Sequence, residues 1–233
     1  MKTSSAASLT ASLAALTLLA ACEQVPSSTI ATHEMSARIE VSSRGLGDTR
    51  VTAQLSTGAL TFVDLDAEDR LYARVGSESR ELDPVPNLFD DLEYSTVLPV
   101  DYDQAPVVVT FRRTAWPGAP GSRVSLPERF RVHAPRDEPS LTLDGLYFEW
   151  DRPTDEPMNV SIEGVCIDDW STTLRHDPGV LFVPPGALWS RDRDGCDVTV
   201  RFERAREGVV DRSFGGGRIT ARQVREVLVP VLP

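Results

Sequence analysis

The feature that most restricts this chain is the alternation of apolar and polar residues in short runs separated by turns. Met35, Ala37, Ile39 and Val41 alternate with Ser36, Arg38, Glu40 and Ser42, the period-two pattern of a strand with one buried face. Similar runs occupy 51–55, 60–65, 71–75 and 107–111, with Gly45, Gly47, Gly58, Gly76 and aspartate-rich breaks between them. Strands this short, punctuated by turn signals, predict a β-sandwich or barrel. Only 221–228 has a spacing that also admits a helix.

The start of the chain is of another kind. Met1 and Lys2 lead into an alanine- and leucine-rich stretch from Ala6 to Ala21, which has the form of a secretory signal. The stretch is too short for a spanning helix, and the chain turns polar at once with Glu23 and Gln24. Its end, Leu19-Ala20-Ala21-Cys22, resembles the lipobox of bacterial lipoproteins. That resemblance implies cleavage before Cys22, lipid on the Cys22 thiol and acylation of the new amino group, with the membrane as a partner through that lipid. It also implies a cell-envelope location, and Glu23 in place of an aspartate after the cysteine points to the outer membrane. The short polar segment that follows, with Pro26, Ser27 and Ser28, reads as a tether between lipid and domain.

Without the signal, roughly 210 residues remain, enough for one large all-β domain or two smaller ones. Pro135 and Pro139, with charge between them, read as an exposed connection. The expected organisation is therefore a signal peptide over 1–21, a lipidated tether over 22–33, a first β-sandwich domain over 34–133, a linker over 134–140 and a second β-sandwich domain over 141–233. The net charge of −11 becomes more negative still when Lys2, the only lysine, is removed. An acidic chain with interleaved arginines lacks the basic footprint of a nucleic-acid binder. With Cys22 assigned to lipid, Cys166 and Cys196 are left as an even pair in an oxidising compartment, which predicts a disulfide; two free buried thiols are the alternative.

In the second part, Leu146-Tyr147-Phe148-Glu149-Trp150-Asp151-Arg152-Pro153 resembles the early strand and following turn of fibronectin type III domains. Residues 158–162 then match the next strand of that family and 196–204 its penultimate strand. The resemblance implies two tandem immunoglobulin-like or fibronectin III-like β-sandwiches, an all-β fold, with Trp150 in a core. In such a sandwich the third and sixth strands are antiparallel neighbours, which would set Cys166, at the end of one, beside Cys196, at the start of the other. Residues 122–126 and 217–221 align without gaps, and 109–113 parallels 198–202, so the two units read either as distant copies or as a chance likeness between strands.

Candidate sites are few. Asp90, Asp91, Glu93, Asp101 and Asp103 fall in a stretch free of lysine and arginine, where oxygen ligands could hold Ca²⁺; no calcium-loop spacing is met, and a solvated acidic loop is the alternative. No other cofactor is indicated. Trp116, Trp170 and Trp189 lie in turn-rich sequence and are candidates for stacking on a ligand, with packing over a sheet end as the alternative. His33, His133 and His176 are far apart, and no G-x-S-x-G elbow marks a nucleophile. Gly215-Gly216-Gly217 lacks the lysine of a phosphate loop and reads as a mobile turn. The expectation is a lipid-anchored, non-enzymatic binding or assembly module whose partner is an envelope protein or glycan. A polysaccharide hydrolase using the acidic stretch and a purely structural spacer are the alternatives.

Overall fold

The computed structural model describes residues 23–66, 68–85, 92–99, 105–135, 137–189 and 195–233. Its strands begin with β1 (Glu23–Pro26), β2 (Ser36–Ser43), β3 (Thr49–Ser56), β4 (Thr61–Asp64), β5 (Arg70–Val75), β6 (Glu78–Glu81), β7 (Asp83–Val85), β8 (Glu93–Leu98), β9 (Pro106–Arg112) and β10 (Ala119–Ser125). They continue with β11 (Val132–His133), β12 (Leu146–Trp150), β13 (Met158–Glu163), β14 (Trp170–Leu174), β15 (Val180–Val183), β16 (Cys196–Glu207) and β17 (Gly216–Val231). Among the described residues the only helical turns are two short 3-10 segments, Ser27–Thr29 and Thr32–Glu34. The expected all-β architecture is what forms.

Two cores are present, each closed between two sheets. Ala37, Ile39, Val41, Val51 and Leu55 of β2 and β3 pack on Leu71, Ala73, Val107, Val109 and Phe111 of β5 and β9. In the second core Leu146, Phe148, Trp150 and Val183 of β12 and β15 pack on Val160, Ile162, Val198, Val200, Phe202 and Val229 of β13, β16 and β17. Trp150 is a core residue, as expected. The sheet order β10-β9-β5-β6 of the first sandwich is repeated as β17-β16-β13-β14 in the second, and β2-β3-β8 is repeated as β11-β12-β15. Both sandwiches thus follow one strand order, and the aligned segments 122–126 and 217–221 fall in or beside equivalent last strands.

The sandwiches are not beads on a string. β17 pairs antiparallel with β16 from Glu207↔Thr220 to Cys196↔Val231, and parallel with β2 from Gly216↔Ser36 to Gln223↔Ser43. One continuous sheet, β1-β4-β3-β2-β17-β16-β13-β14, therefore runs through both units. Ile219 and Ala221 of β17 enter the first core, while Val229 and Val231 enter the second. Residues 221–228 are strand, not helix, because β16 pairs with their backbone throughout and β2 takes the other edge as far as Gln223. The glycines before them are not a loose turn either: Gly217 has φ 129°, and a Cβ there would meet the Ala37 carbonyl oxygen at 2.0 Å. Only glycine permits that approach.

Two expected connections are built differently. Residues 23–34 are folded onto the first sandwich: β1 pairs parallel with β4, and Ser27, Ala31 and Thr32 are buried. The Ser27 hydroxyl bonds Asp66 and Asp69 and the Thr32 hydroxyl bonds the Pro117 carbonyl, so a composition that suits a tether suits this wall equally. The passage from one core to the other lies between Leu126, in the first, and Phe130, in the second. Val132 and His133 already pair with Trp150 and Glu149, which leaves 134–140 between the first two strands of the second sandwich rather than between the sandwiches.

Candidate functional site

The site grows out of an interruption in the β16–β17 hairpin. Its inward positions are apolar at Val198, Val200, Phe202, Val227, Val229 and Val231, and apolar again at Ile219 and Ala221, but between them stand Arg204, Arg206, Gln223 and Arg225. Cross-strand register sets Arg204 opposite Gln223 and Phe202 opposite Arg225. The polar belt falls where the first core stops and the second starts. The passage between the cores crosses it.

Three arginines grip alternate carbonyls of that passage. Arg206 Nη1 donates to the Leu126 carbonyl at 3.4 Å, Arg204 Nη1 to Glu128 at 2.9 Å and Arg225 Nε to Phe130 at 2.8 Å. The guanidinium carbons of Arg204 and Arg225 lie 4.4 and 5.2 Å from the Phe130 ring centroid, close enough for cation–π attraction. Arg204 is fully buried and donates through Nε to Asp177 Oδ2 at 2.7 Å and through Nη2 to the Arg152 carbonyl at 2.6 Å. Asp177, equally buried, also accepts from Trp150 Nε1 and from the Gly179 N–H at 3.1 Å. Both charges are neutralised and hydrogen-bonded, which is the condition for ions to persist in a core. The Gln223 amide is fully buried with neither polar atom partnered among the described residues.

Beside this belt is a recess of about 320 Å³ lined by Gly45, Arg129, Phe130, Arg131, Asp151, Arg152 and Arg225. Gly45 is in the β2–β3 turn, Arg152 in the β12–β13 turn, and Arg225 on β17, so both sandwiches supply walls. Gly45 has φ 77°, and a Cβ there would come within 2.7 Å of the Arg225 guanidinium carbon. Arg152 has φ 54°, the one positive value at a non-glycine among the described residues. The Arg131 N–H donates to Asp151 Oδ1 at 2.6 Å, and Arg152 Nη1 lies 3.7 Å from Glu128 Oε1. On the opposite face of the sheet, Arg201, Glu203, Arg222, Glu226 and Glu40 form a chain of ion pairs across β16, β17 and β2.

The residues expected from sequence lie elsewhere. Cys166 and Cys196 form a disulfide, with Cα atoms 6.1 Å apart, between the end of β13 and the start of β16; β13 and β16 are antiparallel neighbours. The three tryptophans do not make one platform. Trp116 belongs to the first sandwich and donates Nε1 to the Ser28 carbonyl at 3.0 Å; Trp170 opens β14 opposite Ile162 and packs on the second core; Trp189 follows β15 and is 76% exposed. Glu93 opens β8 opposite Val85. Asp90, Asp91, Asp101, Asp103 and Cys22 lie outside the described residues. Among the described residues no group of three or more metal-ligating side chains is close enough to hold an ion. The arginine recess was not anticipated, although Arg204, Arg206 and Arg225 breaking an otherwise apolar inward face were the available signal.

No protein-family model matches the sequence, and no curated protein matches it. Among solved structures, the FN1–FN3 domains of chicken CNTN1 align over 80% of this chain and 64% of that one, at 13% identity and a TM-score of 0.22. A 1.5-MDa bacterial ice-binding adhesin aligns over 82% of this chain and 63% of that one, at 11% identity and a TM-score of 0.23. The chain thus spans less than two thirds of either structure, and the strand order described above stands on its own.

Proposed function

We propose that this protein is a lipid-anchored module of the cell envelope, held in the outer membrane through Cys22, that works by binding or assembly rather than by catalysis. The observation that carries the reading is the way residues 23–34 lie. Glu23 N donates to the Leu60 carbonyl at 3.0 Å, β1 pairs with β4, and Arg113 donates through Nη1 to Thr32 Oγ1 at 2.8 Å and through Nη2 to the Ser27 carbonyl. Lipid on the residue before Glu23 would therefore be separated from the first sandwich by almost no free chain. A body of two sandwiches sharing one hairpin, held that close, keeps its surfaces at a fixed height and orientation. Such a body suits docking to an envelope protein or glycan.

The test combines metabolic palmitate labelling with in-cell crosslinking and mass spectrometry. Wild-type protein is expected to take up label and to capture one dominant partner, and Cys22→Ser to lose the label. A flexible insertion between Cys22 and Glu23 is expected to keep the label and weaken capture. An unlabelled soluble protein overturns the anchor. Turnover of a substrate that is lost on a single carboxylate or serine substitution overturns the non-enzymatic reading.

A further inference from the structure

We propose that the open edge of β15 is a docking site for an extended segment of a partner protein, which pairs with it as a further strand of the β11-β12-β15 sheet. The inference deepens the binding reading above and rests on it, and it names a protein as the partner class. Trp150 N–H donates to the Gly179 carbonyl at 2.9 Å, and the register continues through Phe148↔Leu181 and Leu146↔Val183. In an antiparallel ladder every second pair exchanges its bonds, so Gly179, Leu181 and Val183 turn their backbone groups toward β12. Val180 and Phe182 turn theirs the other way, where no described strand pairs with them. The other side of β12 keeps the same phase, since the Asp151 N–H donates to the Arg131 carbonyl at 3.2 Å and Glu149 faces His133. A row of outward donors and acceptors on a strand is matched by another extended backbone.

The remaining edge strands among the described residues are guarded or polar. β1 ends in Pro26, β7 contains Pro84, and β6 is charged at three of its four positions. β10 is broken by a register shift, β11 has two residues, and β14 is serine and threonine at its centre. By contrast β15, Val180-Leu181-Phe182-Val183, has no charge, no proline and no register shift. Val180 and Phe182 are 43% and 54% exposed, and Tyr147, opposite Phe182, is 50% exposed. Leu181 packs against the second core yet stays half-buried, so a residue of an added strand would complete its cover. An apolar, unguarded edge invites pairing. A net charge of −11 on each copy opposes pairing of this chain with itself. The segment therefore belongs to a different, less acidic protein and carries apolar residues at alternate positions. Lipid at Cys22 would also leave this edge far from the membrane. Glu23 lies at the Gly216 end of β17, through Glu23↔Thr61, Ser56↔Phe62, Ser36↔Ser56 and Gly216↔Ser36. Past Val183, the Gly186 N–H donates to the Leu141 carbonyl and the Leu141 N–H to Leu232, beyond the other end of β17. The sixteen residues of β17 span about 50 Å.

The probe is a displayed library of short random peptides, selected on the full-length protein in detergent, with the strongest binder then synthesised and titrated by calorimetry. Selection is expected to give apolar residues at alternate positions. N-methylation of alternate backbone amides in that peptide is expected to abolish binding, and methylation of the amides between them to leave it intact. Phe182→Pro removes an outward N–H that the β12 ladder does not use, and Val180→Lys puts a charge on the edge with the backbone kept whole. Each is expected to weaken the peptide by roughly tenfold or more while cooperative unfolding is retained. Ser171→Lys, on the edge strand β14, is expected to leave the affinity unchanged. No selected binder, affinity unmoved by Val180→Lys, or N-methylation that acts alike at every amide overturns the docking edge. A dimer in sedimentation that Val180→Lys abolishes assigns the edge to a second copy and overturns the partner. Reconstituted protein that captures a second set of phosphatidylcholine vesicles, and loses them with Val180→Lys, assigns the patch to lipid and overturns it too. In any of these events, a crosslinked partner in cells that Val180→Lys still captures would uphold the binding reading.

Discussion

The two sandwiches share a strand order but are held together by different means, and each difference sits where a separate mechanical demand falls. In the first, the buried ion pair is Asp69–Arg113, with Arg113 Nε 3.0 Å from Asp69 Oδ2. Around it Ser27 Oγ donates to Asp69 and to Asp66, each at 2.8 Å, and Arg113 reaches back to Thr32. That lattice fastens the N-terminal segment. In the second, the buried pair is Asp177–Arg204, and its lattice of Trp150, Gly179, Glu128 and Arg152 fastens the passage between the cores. The second sandwich also carries the one disulfide among the described residues, at Cys196, eight residues along β16 from Arg204 and so about 26 Å away. Polar lattices lock the two places where the chain enters and crosses the body, and the covalent bond locks the far end.

Removing one member of a buried pair leaves the other charge stranded, which sets the largest expected effect. Asp177→Ala is expected to cost about 3–5 kcal/mol, because Arg204 keeps its burial and loses its counter-ion. Chemical denaturation measures it. Since β17 pairs with β2 as well as β16, the loss should appear as one cooperative transition reported equally by probes in both sandwiches. Two transitions would show that the sandwiches unfold independently and would break the shared-hairpin account. Next in size is reduction of Cys166–Cys196, which closes a loop of sequence separation 30. It is expected to cost roughly 3–4 kcal/mol by the chain-entropy account. The loss should be read as a lower Tm, with a small shift in electrophoretic mobility.

Sequence and structure agree best where periodicity alone decides. β2, β9, β12 and β13 were legible because inward and outward residues alternate without exception, as at Ala37, Ile39 and Val41. The disulfide was legible because the third and sixth strands of such a sandwich must be neighbours. What escaped was every place where polar residues face inward. Ser27 and Thr32 read as solvated because composition does not say whether the partner of a hydroxyl is water or a buried aspartate. Arg204 and Asp177 are 27 residues apart and no local rule joins them. Arg129, Arg131 and Arg152 converge with Arg225 only through the crossing of two sandwiches, a long-range fact that spacing does not carry.

A smaller expected effect tests the first lattice. Ser27→Ala removes a fully buried hydroxyl that donates to two carboxylates. The expected cost is about 1–3 kcal/mol, confined to the first sandwich. Hydrogen exchange should report it as faster exchange in residues 23–34 and in β4, with β12 and β13 unchanged. Faster exchange in both sandwiches alike would mean that the N-terminal segment supports the whole body and not one wall.

The smallest expected effect is an acid sensitivity that belongs to one sandwich. Hydrogen bonds from the Ser28 and Ser27 hydroxyls hold the Asp66 carboxyl below its usual value of 3.8. At Asp211, burial alone would raise the carboxyl, but hydrogen bonds from Ser213 and from the Gly121 N–H outweigh it and hold the group below 3.8. Both carboxylates serve the first sandwich, one at the N-terminal segment and one between β10 and the turn before β17. A carboxylate whose folded pKa is depressed stabilises the protein above its unfolded pKa and loses that contribution as the pH falls through the folded value. The first sandwich should therefore begin to open locally below about pH 4, while the second, tied by its disulfide, keeps its protection. Hydrogen exchange at pH 5 and pH 3 measures this, and Asp66→Asn with Asp211→Asn should flatten the difference. If acid instead opens the second sandwich first, Asp66 and Asp211 do not govern the pH response, and the division of labour between the two lattices is reversed.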